Sequence, residues 1–308
     1  MRGKIHRVKR AVQRSVWTKF RKPHFRPAES AFLFYQFFLL AAALIYCIGG
    51  SKSFVIPFSV IVSIGLTFFC RSFRPDHPFL RALCEWFYLY PVVFIGYFAT
   101  CPLIDYFRPE RYDSVLSAID MRFFGVTPNW ASQVLDHPWI TEIFTWGYVS
   151  YYFFGLLLIV PIYIRYGSHS KPFQESFNAI LLAFFFTYAG YWLIPASGPR
   201  VYWDSQLPPL QLLYLSAHVF GPMDKVARGF PDAFPSEHTS LSLLMLWFLF
   251  KNDRQIFWFA LPFAVCAIGA TLVLRYHWCI DVTGGFVVAA LVAWLSTWLA
   301  SQPGATED

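Results

Sequence analysis

Three short groups of residues carry side chains that could move a phosphoryl group, and the last group is the most informative. In it, His277 precedes Asp281 by four residues. On a helical turn this spacing lets the carboxylate hold one imidazole nitrogen protonated, which leaves the other nitrogen free as a nucleophile. Attack by that nitrogen on phosphorus would replace one difficult displacement by two easier steps. The spacing therefore predicts His277 as a nucleophile and Asp281 as its orienting partner.

The other two groups offer a proton donor and a cation. Pro235 and Ser236 favour the start of a helix, whose free backbone donors and positive dipole attract an anion. His238 would then lie in the first turn beside a bound phosphate, although a purely structural hydrogen bond is the alternative for this histidine. Arg200 presents a planar fork of donors that matches a phosphate. Without the other groups, it would be interpreted as an interfacial arginine in contact with lipid head groups.

These residues stand at the ends of strongly apolar segments. The 308 residues are 56% hydrophobic and only 14% charged, which is too apolar for a soluble domain of ordinary composition. Segments long enough to cross about 30 Å of hydrocarbon as helix lie near residues 32–49, 54–70, 83–104, 140–164, 175–195, 237–250, 256–275 and 281–300. We therefore expect an all-α, polytopic membrane helical bundle with about eight transmembrane helices.

The distribution of Lys and Arg predicts the orientation of this bundle. Basic flanks are retained on the cytoplasmic side, and with both termini cytoplasmic 17 of the 25 Lys and Arg residues lie on that side. Strict alternation of eight helices then brings all three groups to one extracytoplasmic face. The net charge of +7 is explained by this topology and by attraction to anionic lipid heads, so no nucleic-acid partner is expected.

The regions outside the helices suggest how the chain is organised. Residues 1–30 form a basic cytoplasmic tail, which is either an amphipathic helix on the inner leaflet or a disordered arm. Residues 31–308 are expected to form a single membrane domain with its catalytic core at about 140–300. In the outer segment 105–139, an amphipathic helix capped by Asp113 is expected to rest on the outer surface. The prolines of the outer segment 196–236 favour a folded loop with one short helix.

The three groups resemble the signature of the type 2 phosphatidic acid phosphatase superfamily, membrane enzymes that dephosphorylate lipid phosphates or transfer head groups through a phosphohistidine. Its Pro-Ser-x-His motif is matched by Pro235, Ser236 and His238, and its His with an Asp four residues later by His277 and Asp281. The resemblance covers residues 140–300 well. It implies the following roles: His277 as nucleophile, Asp281 as its orienting partner, His238 as the acid that protonates the leaving group, and Ser236 and Arg200 as phosphate ligands.

Two positions depart from this family pattern. The usual Lys of the first motif is replaced by Leu193, and a first motif without Lys is similar to the branch that contains inositol phosphorylceramide synthases, which transfer a head group to a lipid acceptor. The usual Arg of the third motif is replaced by Thr271, while Arg275 stands one helical turn later. We therefore expect Arg275 to supply the second phosphate-binding guanidinium from the same helix face.

The expected reaction needs few components. Phosphoryl transfer depends mainly on positioning and charge stabilisation, so two guanidiniums and a helix N-terminus are expected to suffice without a metal ion or cofactor. The expected partners are a lipid phosphate substrate and membrane lipids, and a homo-oligomer is left open. The alternatives are a metal hydrolase built on His238, His277 and Asp281, and a non-enzymatic transporter or scaffold with a polar cavity. The membrane could be a bacterial inner membrane with a periplasmic site or a eukaryotic secretory membrane with a lumenal site.

Overall fold

The computed structural model describes residues 20–51, 54–127, 133–135 and 137–302. Most of the predicted basic tail, residues 1–19, lies outside these ranges, so its conformation stays a prediction. Over the described residues the chain is helical and has no β-strand apart from an isolated antiparallel bridge between Phe20 and Phe73. The chain divides into two compact units, Met1–Ala99 and Thr100–Asp308, and the single membrane domain expected over 31–308 remains a prediction.

The first unit is built around a pair of packed apolar helices, α1 and α2. Its elements are α1 (Pro27–Tyr46), a π-helical turn (Cys47–Ser51), α2 (Val55–Ser72), α3 (Pro78–Ala82), a second π-helical turn (Leu83–Phe87) and the first part of α4 (Leu89–Phe107). Helix α1 begins at Pro27, whose fixed φ suits the first helical position. The Glu29 carboxylate secures this start, because it accepts the backbone N–H of Arg26 at 2.8 Å.

The second unit is a bundle around one central helix. Its elements after α4 are α5 (Asp113–Phe124), α6 (Pro138–Ser150), a 3₁₀ turn (Tyr151–Phe153), α7 (Phe154–Tyr166), α8 (Lys171–Leu193), α9 (Pro199–Tyr202), α10 (Leu215–Ala227), α11 (Glu237–Asn252), α12 (Arg254–Val273) and α13 (Cys279–Leu299). Helix α11 packs against α7, α8, α12 and α13, while α6 packs against α12, α10 against α6, and α5 against α13.

Seven helical segments of the described chain are long and apolar enough to cross a membrane. They are Pro27–Gly50, Val55–Ser72, Pro78–Phe107, Pro138–Tyr166, Lys171–Leu193, Arg254–Val273 and Cys279–Leu299. Each coincides with a predicted segment, so the protein is an all-α polytopic membrane bundle. The remaining predicted segment, 237–250, corresponds to α11, which has 16 residues. At the usual rise this helix is about 24 Å long, shorter than the ~30 Å of hydrocarbon.

Polar residues mark several helix ends. The Ser170 hydroxyl accepts the N–H of Phe173 at the start of α8, and the Asp253 carboxylate accepts the N–H of Ile256 at the start of α12. These are the roles expected of N-cap residues, because the first N–H groups of a helix have no partner within it. Helix α7 stops at Gly167, whose φ of +78° is readily adopted only by glycine.

The two segments predicted to lie on the outer side, 105–139 and 196–236, differ from the prediction in two ways. Helix α5 forms as predicted, but Tyr112 holds the cap position and Asp113 is the first helical residue. Segment 196–236 contains two helices, α9 and α10, where one was expected. The second is stabilised from a distance, because the Glu142 carboxylate of α6 accepts the N–H of Leu215 at 2.7 Å and that of Ser216 at 3.1 Å. Such a cap from another helix leaves no local signal in the sequence.

Candidate active site

Hydrogen bonds join the three predicted groups at the N-terminal ends of α11 and α13 and the C-terminal end of α12. The N–H of Arg200 donates to the carbonyl of Arg275 at 2.7 Å, and the N–H of Ser236 donates to the carbonyl of Asp281 at 3.0 Å. Glycine permits this approach, since a Cβ at Gly198 would collide with the backbone carbonyl of Tyr276. Residues far apart in the sequence therefore form one site.

His277 lies in the connection between α12 and α13 and is buried. Its Nδ1 is 2.7 Å from the carbonyl oxygen of Ala233. Because a carbonyl can only accept, Nδ1 must carry the proton, and Nε2 keeps its lone pair. Burial lowers the pKa of His277 to about 4, although the Asp232 carboxylate and the Ala233 carbonyl act in the opposite direction. The ring is therefore neutral at neutral pH, as a nucleophile must be.

Asp281 lies in the first turn of α13 and is fully buried. Its Oδ2 accepts the N–H of Trp278 at 2.7 Å and lies 3.5 Å from Nδ1 of His277. The predicted contact between the two side chains is present, but the Ala233 carbonyl is the nearer acceptor for the ring. His277 precedes α13 instead of sharing a helical turn with Asp281, so Asp281 acts mainly on the helix start that follows the histidine.

His238 lies in the first turn of α11 between two tyrosine rings. The centroid of its ring is 4.4 Å from that of Tyr148, with the planes 23° apart, and 4.0 Å from that of Tyr151. On a third side, the His277 ring centroid is 5.8 Å away. The Nε2 atom of His238 is buried without a hydrogen-bond partner among the described residues. The two imidazole rings are therefore neighbours, with their planes 60° apart.

Ser236 caps α11, as the sequence predicts. Its hydroxyl oxygen accepts the N–H of Thr239 at 3.3 Å and the Thr239 hydroxyl at 3.1 Å. The side chain is fully buried and is used to start the helix that carries His238. Its role as a phosphate ligand stays a prediction.

Arg200 belongs to the short helix α9 and lies along an aromatic surface. Its Nη1 donates to the Tyr276 hydroxyl at 2.9 Å, and the guanidinium carbon lies 4.6 Å from the ring centroid of Phe220 and 5.2 Å from that of Tyr276. Tyr276 also stacks on Tyr148 at 4.5 Å. The stacked rings of Tyr276 and Tyr148 therefore connect the two groups, because Tyr276 contacts Arg200 and Tyr148 contacts His238.

Arg275 is placed differently from the prediction. Helix α12 ends at Val273, and Arg275 adopts a left-handed conformation with a φ of 66°. Its N–H bonds to the carbonyl of Leu272, and the N–H of Tyr276 bonds to that of Thr271, which is the pairing of a Schellman helix end. The expectation that Arg275 shares a helix face with Thr271 is wrong. The buried guanidinium donates to the carbonyl of Pro208 at 2.7 Å, and its binding of phosphate stays a prediction.

The chain was compared with known protein families. A family model described as PAP2 superfamily matches residues 114–295, more than half of the chain. The chain belongs to the PAP2 superfamily. No curated protein and no solved structure matches it. Membership of the PAP2 superfamily supports a phosphatase-type function on a lipid phosphate, and together with the seven apolar helices it identifies an integral membrane protein.

The PAP2 superfamily match begins within α5, and this helix carries two site residues that the sequence reasoning missed. Asp113 accepts the N–H of Ser197 at 3.0 Å and that of Gly198 at 2.8 Å. Asp120 accepts the N–H of Cys279 at 2.7 Å and that of Ile280 at 2.9 Å. Burial raises the pKa of Asp120, and the two backbone hydrogen bonds oppose this shift. Both carboxylates therefore hold the segments that surround the predicted catalytic groups.

The orientation of α5 explains why the sequence did not reveal that Asp113 and Asp120 hold these segments. Asp113, Leu116, Ser117 and Asp120 form the buried face, whereas Val115, Phe123 and Phe124 are exposed. A helix on a soluble protein buries its apolar face, but at a membrane the apolar face can contact lipid. The available signal was the spacing of Asp113 and Asp120, which are seven residues apart on one side of the helix.

Proposed function

We propose that the protein is a phosphatase or phosphotransferase of lipid phosphates that works through a phosphohistidine on His277. The observation that carries this proposal is the arrangement of the two imidazoles, with ring centroids 5.8 Å apart and the Nδ1 of His277 engaged by the Ala233 carbonyl. In the proposed reaction His277 is the nucleophile, and His238 exchanges a proton with the leaving group. Membership of the PAP2 superfamily supports the same reaction class.

In the first step, Nε2 of His277 attacks the phosphorus atom. A nitrogen–phosphorus bond forms, the bond from phosphorus to the leaving oxygen breaks, and His238 transfers its proton to that oxygen. Nδ1–H of His277 continues to donate to the Ala233 carbonyl, which stabilises the positive charge that develops on the ring. We assign Arg200 and free N–H groups at the start of α11 as donors to the phosphoryl oxygens.

In the second step, the phosphohistidine is resolved. His238, now neutral, takes a proton from water or from the hydroxyl of an acceptor lipid, whose oxygen attacks phosphorus as the bond to His277 breaks. Water releases inorganic phosphate, whereas an acceptor hydroxyl yields a new phospholipid. The same residues serve both outcomes, so the identity of the acceptor determines whether the enzyme is a hydrolase or a transferase.

The lipid nature of the substrate and the side of the membrane belong to the proposal. The site lies at the ends of apolar helices, where a phosphate on a lipid anchor reaches it laterally from the bilayer. The excess of Lys and Arg assigned to the opposite side supports an extracytoplasmic site. Aromatic side chains around the site, including Tyr148, Tyr276 and Phe220, suit the apolar part of a long-chain substrate.

The decisive experiment is capture of the intermediate. The full-length protein, purified in detergent, is incubated with lipid phosphates labelled in the phosphoryl group, such as phosphatidic acid and a polyprenyl pyrophosphate, with and without ceramide. Wild type is expected to acquire an acid-labile, base-stable label, the stability expected of a phosphohistidine. His277→Ala should acquire none and should lose at least about 10⁴-fold in kcat, as for removal of other catalytic nucleophiles.

His169→Ala is the matched control, because this exposed histidine lies between α7 and α8 and is neither of the two proposed catalytic histidines. It should label and turn over like wild type. Turnover by His277→Ala at more than a few per cent of the wild-type rate would refute the phosphohistidine. Label that moves to ceramide instead of to phosphate would identify the transferase outcome of the same mechanism. A chelator in each assay separates the metal-hydrolase alternative, which predicts lost turnover.

A further inference from the structure

We propose that Asp113 and Asp120 are positioning residues, through which α5 fixes the phosphate-binding segment and the nucleophile segment relative to each other. Among the described residues neither side chain has a hydrogen bond to His238 or His277. Asp120 acts through backbone amides, and Asp113 acts through backbone amides and the indole N–H of Trp278. The proposal rests on the proposed function for its kinetic consequences. Its structural consequence, the holding of two segments by one helix, stands independently of the reaction.

Asp120 holds the nucleophile segment. Its two oxygens accept the first free N–H groups of α13, those of Cys279 and Ile280, and the side chain is fully buried. These amides follow His277 by two and three residues, so their position determines where the imidazole stands. An N-terminal helix end needs acceptors for its first N–H groups, and in α13 Asp120 supplies them from a separate helix together with the nearer Asp281.

Asp113 holds the phosphate-binding segment. Its carboxylate accepts the N–H groups of Ser197 and Gly198, which directly precede α9 and Arg200. Its Oδ1 also accepts the indole N–H of Trp278 at 3.1 Å, one residue after the nucleophile. Asp113 is buried and therefore exchanges few of these hydrogen bonds with water. It links Arg200 and His277 from the other end of α5.

The helix between the two carboxylates sets a fixed spacing. Seven residues correspond to about two turns, or roughly 10 Å along the axis. Phosphoryl transfer needs the nucleophile in line with the leaving group, and an error of about 1 Å can reduce the rate about 10²-fold. A rigid helix that holds both segments is a direct way to maintain that alignment. The exposed apolar side of α5, with Phe123 and Phe124, is left to contact lipid.

Asparagine is the diagnostic substitution, because it keeps the volume of aspartate but has a single acceptor oxygen. In Asp120→Asn one of the two amides must face the NH₂ group, which leaves a buried donor unsatisfied. We expect kcat on phosphatidic acid in mixed micelles to fall about 30-fold or more, with KM within about three-fold of wild type. In Asp113→Asn we expect the opposite result, in which KM changes more than kcat. KM should rise about ten-fold because the segment that carries Arg200 is held less firmly.

Amide hydrogen exchange measured by mass spectrometry on the same proteins tests the contact without turnover. Exchange in a peptide containing Cys279 and Ile280 should accelerate at least about ten-fold in Asp120→Asn. Asp204→Asn is the matched control, because Asp204 pairs with Arg228 at an exposed position, and it should leave kcat, KM and exchange as in wild type. If no protein in the set turns over, the proposed function has failed, and exchange alone decides the positioning proposal.

Asp120→Glu covers the case in which Asp120→Asn does not accumulate as folded protein. Glutamate keeps both acceptor oxygens, so the two amides should stay protected, while the longer side chain shifts the segment and lowers kcat about ten-fold. Wild-type kcat in folded Asp120→Asn or Asp120→Glu, or unchanged exchange at Cys279 and Ile280 in Asp120→Asn, would overturn the proposal.

Discussion

The two units of the molecule treat buried charge differently. In the first unit, the buried side chains of Glu29 and Arg71 form an ion pair, and the Tyr88 hydroxyl donates to the same carboxylate. In the second unit, buried atoms of three ionisable side chains in the first turns of α11 and α13 have no hydrogen-bond partner among the described residues: Oε1 of Glu237, Nε2 of His238 and Oδ1 of Asp281.

The contrast separates structural groups from chemical ones. A buried polar atom without a partner costs about 1–3 kcal/mol, so a fold that keeps several of them together gains something other than stability. A buried ion pair whose members satisfy each other needs no such explanation. Glu175 is an exception to this division, because one oxygen pairs with Lys251 at the other end of α11 but the second is unsatisfied. Under the proposed function, a bound substrate would complete the hydrogen bonding of the unpartnered atoms at the starts of α11 and α13.

The largest effect that tests this comparison is expected for His238→Ala. If His238 is the proton donor, its removal should lower kcat about 10²- to 10⁴-fold on an alkyl phosphate ester. The loss should be much smaller on a nitrophenyl ester, whose leaving group needs no protonation. Equal losses on the two esters would mean that His238 supports the structure instead of donating a proton, and that the unpartnered Nε2 has no chemical role.

The next effect concerns the paired charges of the first unit. Arg71→Met leaves Glu29 buried without its cation, and we expect a loss of about 3–5 kcal/mol of stability, measured as thermal unfolding in detergent. The double variant Glu29→Gln, Arg71→Met should recover part of that loss. For both, kcat per folded molecule should equal that of wild type. A large loss of kcat with intact stability would break the division between the two units.

Arg275 gives a smaller and more selective test. Arg275→Gly and Arg275→Ala both remove the guanidinium, but only glycine suits the left-handed φ, so the glycine variant should be more stable by about 1 kcal/mol. If the guanidinium binds phosphate, both variants should lose activity about equally, on the order of 10-fold or more, mainly through KM. Activity near wild type in Arg275→Gly would assign the arginine to the Pro208 contact alone.

The smallest effect is the pH dependence expected for His277, the proposed nucleophile. Since burial lowers the pKa of His277 to about 4, the neutral ring should persist well below pH 6.5, and the acid limb of kcat/KM should approach pH 4. Between these values the unfolded chain binds a proton that the folded protein does not, so stability should fall as pH decreases through this window. The difference in stability between wild type and His277→Ala isolates the effect. An acid limb near pH 6.5 would show that the ring is solvated.

The sequence predicted the parts of the site that depend on short spacing. The Ser236 cap follows from residue type, and the proximity of His277 to Asp281 follows from their separation by four residues. The position of Arg275 could not be predicted in this way, because the chain reverses at a non-glycine residue that carries no turn signal. The hydrogen bonds of Asp113 and Asp120 join residues 84 and 159 positions apart, and no local pattern specifies such partners.

The fold, too, could be predicted where it depends on local sequence and could not where it depends on distant contacts. Long apolar segments specify membrane helices directly, because backbone groups in hydrocarbon must bond within the segment. The second helix of segment 196–236, α10, depends instead on Glu142 from α6, and α5 buries Asp113 and Asp120 while Phe123 and Phe124 are exposed. Sequence patterns that assume water as the solvent assign the wrong face to such a helix.

The short length of α11 affects the depth of the proposed site in the membrane. With Lys251 near one membrane surface, a helix of about 24 Å ends several ångströms before the other edge of the hydrocarbon. His238, in its first turn, would then stand below the level of the lipid head groups. The phosphate group of a lipid would have to move below the head-group level to reach this ring, while the acyl chains of that lipid stay in the bilayer. The enzyme would then bind the polar head group without extracting the lipid from the membrane. Water for hydrolysis would have to reach the same depth.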